Sequence, residues 1–140
     1  MSKFYLAARF SRKQELLEYA KVLESLGHTN VSGWLVAEEE TEDLESPEAQ
    51  QYAIKDVNDI LDSEFMLNFT EKQRIPNATR GGRHVEGGIY IGLKCRGDWH
   101  RKLFVIGPVE NIFHSLPEIN DQFEDFNGFI AAHTNGDVTL

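Results

Sequence analysis

Hydrophobic residues along this chain alternate between short unbroken runs and spaced stripes, the pattern of strands alternating with helices. Phe4 to Ala8 is an unbroken apolar run, as expected of a strand buried on both faces. Ser11, with Gln14 three residues on, predicts a capping box. Leu16, Leu17, Ala20 and Leu23 then recur at helical spacing as far as Gly27, a helix-ending residue. Val31 to Val36 predicts a second strand. Ser46-Pro47 predicts the start of a second helix, with Ala49, Ala53, Val57 and Ile60 or Leu61 as its inward stripe.

Phe65 to Phe69 predicts a third strand ending at Thr70-Glu71, followed by an irregular loop over 72–80 that contains Pro76. A helix from Gly82 or Arg83 to Lys94 follows, with Val85, Ile89 and Leu93 inward. Gly88 and Gly92 weaken that helix relative to alanine, so close packing on a sheet is the expected reason for them. Leu103 to Ile106 predicts a fourth strand and Ile119 to Phe123 a short fifth. Phe126, Phe129 and Ile130 fit a final helix. The alternation implies an α/β domain spanning 1–140, with a parallel sheet covered on both faces. Ligands of such sheets sit beyond the carboxyl ends of the strands. That edge gathers Ala8-Arg9-Phe10, Thr70-Glu71 and the segment from Ala78 to Gly88.

Composition narrows the function classes. The net charge of −9 argues against a nucleic-acid polymer as partner, since such binders need a basic face. Much of the acidity lies in Glu38-Glu39-Glu40-Thr41-Glu42-Asp43-Leu44-Glu45, read as a solvated loop. The arginines gather instead around the glycines, which suits a small anionic ligand. The single cysteine, Cys95, fits a reducing compartment, and no apolar run approaches the roughly 20 residues that span a bilayer. A cytoplasmic protein without a membrane partner is the expectation.

The densest chemistry is Arg80-Gly81-Gly82-Arg83-His84-Val85-Glu86-Gly87-Gly88. It lacks the Gly-Lys-Ser/Thr of a P-loop, and the turn after the first strand lacks a dinucleotide glycine motif. Gly81 and Gly82 open either a phosphate-binding helix terminus, helped by Arg80 or Arg83, or simply a tight turn; spacing leaves both open. Glu86 reads as an ordinary first-turn glutamate or, if Val85 faces inward, as a carboxylate bordering the crevice and able to attack a sugar carbon. Asp56 reads as a solvated helix charge or as the second carboxylate of glycosidic chemistry. Tyr5, Phe10 and Trp34 are core residues or base-stacking ones. The five histidines and lone cysteine show no metal-ligand spacing, so neither metal nor cofactor is expected.

Tyr5-Leu6-Ala7-Ala8, Asp56, Ser63-Glu64-Phe65-Met66-Leu67 and Arg80-Gly81-Gly82-Arg83-His84-Val85-Glu86-Gly87-Gly88 together resemble the nucleoside 2-deoxyribosyltransferase family, which includes N-glycosidases of nucleoside 5'-monophosphates. The resemblance runs from about Phe4 to Ile106 and extends to Gly107-Pro108-Val109-Glu110-Asn111. It implies a flavodoxin-like (Rossmann-like) three-layer sandwich with a five-stranded, mainly parallel sheet. It also implies Glu86 as the nucleophile at C1' and Asp56 as the residue that positions the sugar or handles the base proton. Tyr5 falls near the nucleoside, and Gly82 and Arg83 fall where a phosphate binds. A homodimer or higher homo-oligomer is implied as well. Three features depart from the family pattern: Ala8-Arg9-Phe10-Ser11 lacks the glycine many members carry after the first strand, Arg80 stands where some carry a small hydroxyl residue, and the loop from Lys72 to Thr79 is longer than in compact members.

These readings converge on an enzyme that cleaves or exchanges the N-glycosidic bond of a nucleoside or its 5'-monophosphate. Its expected substrate-binding set is Tyr5, Arg9, Arg80, Gly81, Gly82 and Arg83. The alternative is a domain that binds a nucleotide or nucleotide signal at the same anion site without turning it over.

Overall fold

The computed structural model describes residues 1–37, 43–72 and 81–140. Five strands, β1 (Lys3–Ala7), β2 (Thr29–Asn30), β3 (Phe65–Phe69), β4 (Lys102–Ile106) and β5 (Asp121–Phe123), form one sheet in the order β2-β1-β3-β4-β5. Every neighbouring pair is parallel. This is the doubly wound, flavodoxin-like order expected from the resemblance. The helices are α1 (Lys13–Ser25), the short α2 (Trp34–Ala37), α3 (Pro47–Asp62), α4 (Gly82–Cys95) and α5 (Phe126–Thr134).

Register divides the side chains between two faces. Tyr5 pairs with Met66 and Ala7 with Asn68, so these four share one face, and Leu6, Leu67 and Phe69 lie on the other. The second face is the aromatic core under α1 and α5. There the Tyr19 ring stacks on both Phe69 and Phe126, and Phe129 packs against Phe104 and Phe123. The first face carries α3 and α4.

Local signals account for several boundaries. Ser46 Oγ accepts from Ala49 N at 3.1 Å with Pro47 at the first helical position, as expected for α3. The helix α1 ends at Gly27, where Gly27 N bonds Glu24 O and His28 N bonds Leu23 O, a Schellman closure. Its start differs from expectation. Ser11 lies within a 3-10 turn (Phe10–Arg12), and α1 begins at Lys13 with no side-chain cap, because the N-cap position falls to Arg12, whose guanidinium has no acceptor and pairs with Glu15.

The strand expected over 31–36 is also corrected: β2 is Thr29–Asn30, and the residues from Trp34 on are helical. Two side chains take the place of a longer strand beside β1. Ser32 Oγ accepts from Leu6 N, and Trp34 Nε1 donates to Leu6 O, both at 2.8 Å. With the Leu6 amide and carbonyl satisfied this way, a further backbone ladder is not needed there.

The helices on the first face match the expected orientation only in part. On α3, Ile60 is buried and Ala49, Tyr52, Asp56 and Asp59 are half-buried, whereas Ala53, Val57 and Leu61 of the expected stripe are exposed. On α4 the buried line is Arg83, Gly87, Tyr90 and Lys94, with Ile89 and Leu93 at its flanks. Val85 is 67% exposed, so the inward placement expected for it is wrong. Gly88 and Gly92 have open space where a Cβ would lie; the glycine that packs on the sheet is Gly87, whose Cβ would meet Asn68 Nδ2 at 2.4 Å. Both helices therefore turn polar groups such as Asp56 and Arg83 toward the sheet beside Ile60 and Tyr90, and leave Val57 and Val85 outward.

Candidate active site

The site grows from the turn into α4. Gly81 caps that helix at φ 74°, ψ 8°, in the left-handed region where a Cβ is costly. The carbonyl of Gly81 accepts from His84 N and Val85 N, which leaves the amides of Gly82 and Arg83 without intrahelical partners. Gly82 is exposed and Arg83 is buried, and both stand at the positive end of the helix dipole.

Glu86 follows one turn later and is half-buried. Tyr5 is fully buried in the middle of β1, and its phenol donates to Glu86 Oε2. Glu86 is thus turned to the sheet although Val85, expected inward, is exposed. Gly87 being inward, Glu86 is turned toward β1 and Val85 away from the sheet. Asp56 lies on the inward line of α3, the helix that packs on both α4 and β1, and its Oδ1 is closed off from solvent.

Arg83 is buried, and its Nη2 and Nε lie 2.8 and 3.3 Å from the two carboxylate oxygens of Glu110. This two-point pair ties α4 to the loop after β4. A second tie runs alongside it, with Asn111 Nδ2 3.4 Å from His84 Nδ1. Asn111 Oδ1 accepts from Phe113 N, so its amide group faces the histidine as donor. Glu110 N donates to His114 Nδ1 at 3.1 Å. Both rings are held below the ordinary histidine range, His84 by burial and then by Arg83, His114 by burial and then by His84.

The loops after β1 and β3 meet as the topology requires. Glu71 Oε1 lies 3.9 Å from Arg9 Nε and 3.8 Å from Arg12 Nη1, and Arg12 also donates to Thr70 O. Arg9 therefore sits at the carboxyl edge with its guanidinium beside Glu71. Arg80 lies outside the described residues. A separate cavity of about 400 Å³ opens on the opposite face, between Arg12, Tyr19, Phe69 and Phe126; neither Tyr5 nor Glu86 lines it.

Of the residues expected at the site, Tyr5 and Glu86 are in direct contact, Asp56 stands on the adjoining helix, and Gly81, Gly82 and Arg83 form the turn that carries Glu86. Reading the sequence missed Asn68, whose Nδ2 donates to Arg83 O at 3.1 Å, and the Glu110-Asn111-His114 group. A polar residue within the apolar run from Phe65 to Phe69 was the available signal for Asn68. Among the described residues no three His, Cys, Asp or Glu side chains are placed to hold a metal, and no helix is long and apolar enough to cross a membrane.

No protein-family model and no curated protein matches this chain. Solved structures do. A 2-deoxyribosyltransferase from the psychrotolerant bacterium Bacillus psychrosaccharolyticus superposes with a TM-score of 0.66 at 21% identity, over 89% of this chain and 88% of that one. The CMP N-glycosidase BcmB of Clostridium botulinum superposes with a TM-score of 0.60 at 15% identity, over 95% of this chain and 98% of that one. The resemblance read from the sequence holds at the level of the fold, along nearly the whole chain.

Proposed function

We propose that this protein is an enzyme that cleaves or transfers at the N-glycosidic bond of a nucleoside or its 5'-monophosphate, with Glu86 as nucleophile. The observation that carries the reading is the contact between the Tyr5 phenol, on β1, and Glu86, in the first turns of α4. It occurs on a fold shared with a deoxyribosyltransferase and a CMP N-glycosidase. A carboxylate that accepts from a buried phenol is held in one rotamer and favoured in its charged form, as a nucleophile requires.

In this mechanism a Glu86 oxygen attacks C1' of the sugar and forms a glycosyl ester. The C1'–N bond breaks, and the base leaves with its electron pair. Asp56 handles the proton that the departing base takes up. Water, or the nitrogen of a second base, then attacks C1' from the opposite side, and the Glu86 carboxylate is released. Net retention follows from the two displacements.

A 5'-phosphate fits the exposed amide of Gly82 at the start of α4, with Arg9 and, from its place beside Gly81 in the sequence, Arg80 as the candidate cations. Arg83 enters this reading chiefly through its backbone amide, since its guanidinium meets Glu110. We also place a homodimer or larger assembly on the outward aliphatic line of α3 and α4, where Ile54, Val57, Leu61 and Val85 stand 47, 39, 44 and 67% exposed. Action in a reducing, cytoplasmic compartment accords with the exposed free thiol of Cys95.

The test is incubation of wild-type protein and Glu86→Gln with mixed nucleosides and 5'-monophosphates, with and without a second base, and identification of the products by mass. Free sugar or sugar phosphate marks hydrolysis, and an exchanged base marks transfer. Full base release by Glu86→Gln removes the nucleophile; tight binding without product marks the non-catalytic binding domain.

A further inference from the structure

We propose that Asn68 is a positioning residue for Glu86, acting through the first turn of α4; the inference rests on the reading of Glu86 as nucleophile. Asn68 occupies the next-to-last position of β3, pairs in register with Ala7 and Val105, and is 3% exposed. An amide there needs a reason, because a buried polar group costs stability unless its bonds are made. Only one is made. Nδ2 donates to Arg83 O, while Oδ1 is buried with no hydrogen-bond partner among the described residues. A leucine or valine would fill the position without that penalty.

The amide compensates by fixing one carbonyl. Arg83 O is the acceptor that helical pairing assigns to Gly87 N–H, so the Asn68 bond anchors to the sheet the turn that contains Glu86. The acceptor also fixes the amide's orientation, since a carbonyl cannot donate and only Nδ2 can face it. Close approach is possible only because residue 87 lacks a side chain: a Cβ there would lie 2.4 Å from Asn68 Nδ2. Glu86 is thus held between a carbonyl anchored to β3 and a glycine seated on the same amide. From the other side it is met by Tyr5 on β1.

A size swap separates positioning from packing. In Asn68→Ala/Gly87→Ala the new methyl at 87 occupies space that the amide vacates, so stability returns while the anchor is lost. The comparison takes Asn68→Ala, Gly87→Ala, the double variant and Glu86→Gln. It measures the thermal midpoint, kcat and KM for base release on the substrate panel, and the Tyr5 Cζ signal in 13C NMR, assigned with Tyr5→Phe. The expected outcome is a double variant with a near-wild-type midpoint, kcat down by about tenfold or more, KM little changed, and a Tyr5 signal moved toward that of an unbonded phenol. Wild-type kcat, or an unmoved Tyr5 signal, in the double variant overturns the positioning role. Full activity of Glu86→Gln instead removes the nucleophile, and the role proposed for Asn68 falls with it.

Discussion

Tyr5, on the second strand in spatial order, and Glu86, in the first turns of the helix that follows β3, meet through a hydrogen bond from phenol to carboxylate. The two lie 81 positions apart in the chain, and the bond joins the sheet to the residue proposed as nucleophile. Tyr5→Phe keeps the buried ring and removes only the donor. A hydrogen bond to a charged group contributes about 1.5–3 kcal/mol. We therefore expect kcat for base release to fall by about ten- to a hundredfold, with a thermal midpoint within a few degrees of wild type. Steady-state kinetics beside a melting curve checks this; undiminished kcat in Tyr5→Phe would remove the phenol from the mechanism.

Arg83 and Glu110 predict an asymmetry between two single substitutions. The Arg83 side chain is 3% exposed and that of Glu110 19%, so the arginine has less access to water if its partner is lost. Glu110→Gln leaves a buried cation short of its counter-charge, a situation that costs about 3–5 kcal/mol. Arg83→Met removes the buried charge, and the glutamate it leaves behind can rehydrate in part. Urea unfolding should rank Glu110→Gln as the more destabilised of the two, with Arg83→Met/Glu110→Gln more stable than Glu110→Gln alone. Equal losses in both single variants would show that the pair is better solvated than its burial indicates.

The parts of the fold that were legible in the sequence are those set by local chemistry. The start at Ser46-Pro47, the stop at Gly27 and the run from Phe65 to Phe69 each need only their own neighbours. The strand expected over 31–36 failed because Ser32 and Trp34 bond to Leu6, 26 and 28 positions away, and nothing local announces that. The faces of α3 and α4 were legible only in part, with Ile60 inward as expected but Val57 and Val85 exposed, and for another reason. An apolar stripe points to the core only when the core is what the helix must cover, and here Asp56 and Arg83 are turned inward while Val57 and Val85 are turned out. The Gly81–Glu86 segment was legible as chemistry because glycines, cations and a carboxylate seldom share so short a stretch for packing alone. Its partners Asn68, Glu110 and Asn111 come from β3 and the loop after β4, and only the folded chain brings them to it.

Acid should weaken this fold through its histidines. Ser2 N donates to His28 Nδ1, so a neutral His28 carries its proton on Nε2 and offers it to His133 Nε2 at 3.1 Å. His133 then holds its own proton on Nδ1, facing Val138 O. A further proton sets two N–H groups against each other. Burial, followed by His133 and the N-terminal amine, holds His28 below the ordinary value of 6.5. A depressed histidine is neutral in the fold and more protonated in the unfolded chain. Its contribution is therefore present above the unfolded value and is lost as pH falls from about 6.5 toward the folded one. His84 and His114 are depressed as well and act in the same sense. Thermal midpoints between pH 7.5 and 5.5 should decline, and less steeply in His28→Leu; an unchanged slope in that variant would clear this pair.

The outward line on α3 and α4 makes a prediction about assembly. Ile54, Val57 and Leu61 recur at intervals of three and four on α3, and Val85 is exposed on α4, the helix that packs against it. These helices also carry Asp56 and Glu86, so a second copy seated there would border the carboxylates of the proposed site. Solvent exposure of four aliphatic side chains on adjoining helices is better explained by a partner surface than by the core, which already has Ile60 and Tyr90 on the same two elements. Sedimentation at micromolar concentration should give a dimer or larger for the wild type, and Val57→Asp/Leu61→Asp should shift it to monomer. Because both positions face away from the sheet, the monomer should keep the helical content of the wild type by circular dichroism. Its base-release activity should fall along with assembly, and recover in part as protein concentration rises. A wild-type protein that sediments as a monomer at all concentrations, or a double variant that stays assembled, would sink the assignment of this face.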